Sequence, residues 1–98
     1  MERIKKEITV DTIKDLLYFP ETGIFIWNKA IVVGRNSIRY KKGTVAGTKS
    51  RRGEIIITIN KSKFRAHRLA WFVSYKENPN IRDHINGVKT DNRLSNLR

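Results

Sequence analysis

Residues 54–76, EIIITINKSKFRAHRLAWFVSYK, change periodicity part-way along, and that change limits the folds open to this chain. The first six residues are rich in β-branched side chains, which suit a pleated, half-buried strand. NKSK then reads as a hairpin turn, so residues 64–66 should return as a paired strand. From Ala66 the spacing becomes helical. Ala66, Leu69, Ala70 and Val73 fall on one face, with Arg68, Trp71 and Tyr75 on a neighbouring one. Pro79 sits beyond the last turn, in the loop ENPN, where a helix has already ended. A strand pair that runs straight into an amphipathic helix buries one face of each against the other. The expected class is α+β.

The flanks add detail to that expectation. Val10, Ile13, Leu16 and Leu17 are spaced as on a helix and Asp11 can cap it, so a short N-terminal helix is expected over residues 10–18. FPETG reads as a turn and residues 24–28 as a short strand. Between Lys29 and Gly43 the periodicity is lost, and an exposed basic loop is expected. TVAGT, at residues 44–48, supplies the first strand of a small three-stranded antiparallel sheet, and SRRG is the turn into the second. Ninety-eight residues make one small domain. It divides into residues 1–28 (helix and strand), 29–76 (basic sheet plus helix) and 77–98 (a polar hairpin).

Charge narrows the choice of partner. The net charge is +12, and residues 28–68 carry twelve basic groups against one acid, Glu54. The excess is clustered, as an electrostatic footprint for a polyanion should be. The candidate contacts are Lys41, Lys42, Lys49, Arg51, Arg52, Lys61, Lys63, Arg65 and Arg68. Arg51, Arg52, Lys61, Lys63 and Arg65 are expected on the sheet face turned away from the helix, where arginines reach phosphates or guanine edges. The plainer reading is that these groups keep an exposed sheet soluble and guard its edges. Duplex DNA is the expected partner, and structured RNA remains an alternative. A 39% hydrophobic content suits a globular chain. With no cysteine, disulfides and thiolate metal sites are excluded. The longest apolar run is five residues, Leu69–Val73, far short of a membrane span, and the N-terminus lacks a signal-peptide core.

The chemistry lies in IRDHINGVKTDNRLSNLR, residues 81–98. A carboxylate such as Asp83 can hold a hard divalent cation, while an imidazole such as His84 can take a proton from water. Hydrolysis of DNA needs both functions, and an asparagine elsewhere could fix the working tautomer of the imidazole. Taken alone, such a pair is more often a surface ion pair or a capping arrangement. Asn86-Gly87 is first of all a hairpin turn, and Asp91-Asn92 another. His67, at the strand–helix junction, reads as a partly buried packing residue, and Trp27, Trp71 and Phe72 as core.

Asp83-His84-Ile85-Asn86-Gly87, followed by Thr90-Asp91-Asn92-Arg93 and Ser95-Asn96-Leu97-Arg98, resembles the core of phage-type HNH endonucleases. YFPETGIFIW, GTVAGTKSRRG and AHRLAWFVSY extend the likeness upstream, from about Ile13 to the last residue. The resemblance implies a ββα-metal hairpin in which Asp83 is a ligand for a divalent ion, usually Mg²⁺. It makes His84 the general base and Asn96 the residue that orients it. Asn86, Gly87, Asp91 and Asn92 would shape the loop between. The central segment is similar to the DNA-binding sheet of plant ethylene-response factors. A cytoplasmic location, inside a bacterial or phage-infected cell, is implied as well, with no membrane partner and with a homodimer open. The family's hairpin is followed by a helix carrying a further ligand, about nine residues beyond the position matching Asn96, and this sequence stops at Arg98. Two readings stay open: a metal-dependent nuclease that nicks DNA, and a non-enzymatic nucleic-acid-binding module (repressor, accessory factor or inhibitor) derived from one.

Overall fold

The computed structural model describes residues 7–33, 37–78 and 84–98. Its class is α+β, with one helix and three small antiparallel sheets. The change of periodicity gives the central unit. Strands β5 (Thr48–Lys49), β6 (Ile55–Ile59) and β7 (Ser62–Arg65) form one sheet in that order, and β7 runs directly into helix α1 (Ala66–Tyr75). The β6–β7 turn is two residues, Asn60 and Lys61, with φ of 49° and 69°. Positive φ at both centres is the type I′ geometry that matches strand twist, and asparagine accepts it most readily of the non-glycine residues. Ile57 pairs with Phe64, and both point at the helix, where Ala66, Leu69, Ala70 and Phe72 are buried. Ile57 and Leu69 have no exposed surface, which makes them the centre of the core. Lys76 ends the helix in the left-handed region (φ 58°), its N–H donating to the Phe72 carbonyl at 2.7 Å.

Two expectations fail at the N-terminal side. Residues 10–15 are turns, closed by bonds such as Thr12 N–H to the Thr9 carbonyl at 3.0 Å and Leu16 N–H to the Ile13 carbonyl at 3.1 Å, and no helix follows. Leu16–Phe19 is instead strand β1, paired with β2 (Ile24–Trp27). The pairing sets Leu16 opposite Trp27 and Tyr18 opposite Phe25, burying Leu16, Phe25 and Trp27. Cross-strand burial therefore overrides a helical spacing too short to propagate by itself. The second failure is the loop expected over residues 29–43. It contains a hairpin, β3 (Ile31–Val33) with β4 (Ser37–Tyr40), whose register is irregular at Ile31/Val32. That irregularity removes the alternation by which a strand is recognised. Tyr40 stacks on Trp27 at 5.3 Å between ring centroids, which ties this hairpin to the core.

Residues 43–46 run along the free edge of β2. The Trp27 N–H reaches the Thr44 carbonyl at 2.9 Å, and the Ala46 N–H reaches that of Phe25 at 2.8 Å. The first described residues are fastened too. Ile8 is buried, and its backbone exchanges two hydrogen bonds with the Asn78 carboxamide, at 2.8 and 2.9 Å. Among the described residues, no helix is long and apolar enough to cross a membrane.

Candidate active site

Residues 84–98 form a loop closed by a single antiparallel bridge, His84 with Leu97, and Leu97 belongs to the apolar core. Between these ends the loop is held by polar groups. Gly87 N–H donates to the His84 carbonyl at 2.9 Å, and Val88 N–H donates to the Asn86 side-chain oxygen at 2.8 Å. This is an Asn-Gly turn reinforced by its own asparagine. Asn96, on a single 3₁₀ turn (Leu94–Asn96), stands at the middle. Its Oδ1 accepts the Asn86 N–H at 3.0 Å, while its Nδ2 donates to Asn86 Oδ1 at 3.0 Å and to the Asp91 carbonyl at 2.8 Å. Arg93 grips both oxygens of Asp91, at 2.8 and 2.7 Å, and Asn86 Nδ2 reaches one of them at 3.0 Å. The Arg93 guanidinium, and after it the Asn86 amide, holds the Asp91 carboxyl well below the usual carboxylate range.

The His84 ring is held from two sides. Its Nε2 lies 2.7 Å from Asn92 Oδ1, and Asn92 is only 2% exposed. A carboxamide oxygen only accepts, so the contact is a hydrogen bond when the ring carries a proton on Nε2. On another side is His67, its ring centroid 4.9 Å away and inclined at 60°. His67 is buried at the start of α1. Burial first, then the nearby His84, pushes its pKa down to about 4, so it is neutral at physiological pH.

The side chain bonded to the His84 ring is Asn92, not the expected Asn96. Asn96 shares backbone pairing with the His84 strand, since the Ile85 N–H reaches the Asn96 carbonyl at 2.7 Å, but its side chain braces the loop. Asn92 bonds the ring. Asp83, the expected metal ligand, lies outside the described residues. Among those that are described, no group of three or more His, Cys, Asp or Glu is placed to hold a metal ion. Asp91, the carboxylate of the loop, is already taken by Arg93 and Asn86. These residues do not assemble a ligand set.

The basic residues are gathered differently from the expectation. Lys63 and Arg65 do lie on the sheet face opposite the core, beside Thr58 and Ile56. Arg51 and Arg52 are in the β5–β6 turn, and Lys61 is in the β6–β7 turn at the far end of the five-residue strand β6. That separates the two turns by roughly 16 Å. Arg65 is not wholly available, because its Nε pairs with Glu54 at 3.3 Å. Lys41 and Lys42 are exposed after β4, Lys49 is exposed on β5, and Arg68 is half-buried on α1. One end of the sheet meets the loop. Lys89 Nζ donates to the Arg52 carbonyl at 3.1 Å, and the charges of Arg65 and Arg68 are felt at His67. No family model, curated protein or solved structure matches this chain.

Proposed function

We propose that the protein binds duplex DNA and hydrolyses its backbone, as an HNH-type nuclease, with His84 as general base. The observation that carries the reading is the His84–Asn92 contact at 2.7 Å, which favours the tautomer that leaves Nδ1 to accept a proton. A buried asparagine whose carboxamide oxygen faces a ring nitrogen can hold the imidazole in one tautomer and orientation. Arg51 and Arg52, in the turn that Lys89 meets, would supply charge for phosphates of the bound duplex. In the step, Nδ1 takes a proton from a water molecule. The water oxygen forms a bond to phosphorus while one phosphorus–oxygen bond of the backbone breaks, and the departing oxygen takes a proton from solvent. The HNH likeness implies that Asp83 would hold a divalent ion such as Mg²⁺, which would neutralise charge on the phosphate when bound.

Incubation of supercoiled plasmid with the protein and Mg²⁺ or Mn²⁺ tests this reading. Nicked circles are expected from the wild type, with His84→Ala slower by about a hundredfold or more and equal in DNA affinity. If the wild type binds DNA yet leaves the plasmid supercoiled with either ion, the protein is a binding module and the nuclease reading is wrong.

A further inference from the structure

We propose that the β1–β2 hairpin is part of the His84 site, with Tyr18 and Gly23 as positioning residues that act through Asn92. The inference rests on the reading of His84 as a base. Asn96 grips residues 86 and 91 of the loop, while Asn92 takes its anchorage from the hairpin. The Tyr18 hydroxyl donates to the Asn92 carbonyl at 2.6 Å, across 74 residues of sequence. Leu94 N–H donates to the Pro20 carbonyl at 3.0 Å, fastening the chain two residues further on. Gly23 closes the set. A Cβ there would overlap the backbone of Asn92 and Arg93, and its φ of +77° is itself unfavourable for other residues. The hairpin turn therefore lies flat against the segment that carries Asn92, and only a residue without a side chain permits that approach.

The consequence for His84 is geometric. Asn92 Oδ1 stands 2.7 Å from Nε2, and a shift of half an ångström in the Asn92 backbone would weaken the bond that selects the tautomer. Tyr18 is suited to a fixed anchor. Its ring packs on Phe25 at 4.8 Å, and burial raises its pKa to about 12, so the hydroxyl stays a donor at any working pH.

Two readouts on the full chain test this. In ¹⁵N-labelled protein, long-range proton–nitrogen spectra report which ring nitrogen of His84 bears hydrogen, independently of any cleavage. The wild type is expected to show Nε2–H. Tyr18→Phe, which keeps the ring and removes one hydroxyl, is expected to show a mixture of tautomers. It should also nick saturating plasmid about fivefold more slowly at unchanged affinity, the size of one ordinary hydrogen bond. Gly23→Ala should cost about tenfold or more through misplacement, and Leu17→Ala, on the exposed face of the same hairpin, should change neither readout. If folded Tyr18→Phe keeps the wild-type ring spectrum, the proposal is overturned, whether or not Gly23→Ala folds. A wild type that shows Nε2–H but cuts no DNA removes the nuclease reading alone, and the ring spectra still decide the role of the hairpin.

Discussion

The unit spanning β6, β7 and α1 and the loop of residues 84–98 are held together by opposite means. The first is apolar: Ile57, Phe64, Leu69, Ala70 and Phe72 are buried against one another. The second is polar, its centre being a buried asparagine bonded to Asn86 and to the Asp91 backbone. Apolar packing is non-directional and accepts small displacements, whereas a hydrogen-bonded ring of amides fixes each member within a few tenths of an ångström. A scaffold needs the first property, and the general base proposed at His84 needs the second. His84 stands where the two meet, its ring between Asn92 of the loop and His67 of the helix.

Perturbations of each half should separate them. The largest effect is expected from Leu69→Ala, because Leu69 is fully buried. Chemical denaturation should show a loss of about 2–5 kcal/mol, and amide exchange should rise through β6, β7 and α1 together. Asn96→Ala should cost less, about 2–3 kcal/mol for three hydrogen bonds among partly buried groups. Its exchange signature should be confined to residues 84–98, with α1 still protected. If Asn96→Ala opens the helix as well, the two halves are one cooperative unit and the contrast between them fails.

Acid should reach the junction before it reaches the scaffold. The pKa of His67 is depressed in the folded protein to about 4, so between there and about 6.5 the unfolded chain binds a proton that the folded one refuses. Stability is thus complete above about pH 6.5 and falls towards pH 4, by up to about 3 kcal/mol. His67→Gln should flatten that limb of the curve. A second loss, from Asp91, begins only below the ordinary carboxylate range, since its contribution is present above that range and disappears on protonation.

Legibility in the sequence follows the same division. The helix is found at 66–75 because its apolar spacing is regular, whereas the turn reads as NKSK, two residues longer than the observed Asn60-Lys61, because Ser62–Arg65 holds no β-branched residue. The N-terminal helix is a false expectation because Val10 and Ile13 fall in turns while Leu16 and Leu17 belong to a strand that pairs with β2. The β3–β4 hairpin escaped because its register is irregular. At the candidate site, His84 stands out by its chemistry, but the choice among Asn86, Asn92 and Asn96 as its partner depends on loop geometry, which spacing does not encode. Gly23 reads only as a turn residue, and nothing local ties it or Tyr18 to residue 92. Their role exists only once the chain has brought residues 18 and 92 together.

The separation of grip from chemistry is tested most directly by single-turnover nicking at saturating plasmid, comparing Arg51→Ala/Arg52→Ala with His84→Ala. The double variant should bind more weakly, with a salt slope smaller by about two, yet recover a near wild-type rate once DNA is in excess. His84→Ala should bind normally and stay slow at every concentration. Recovery of His84→Ala at saturation, or wild-type affinity and salt slope in the arginine double variant, would contradict the account.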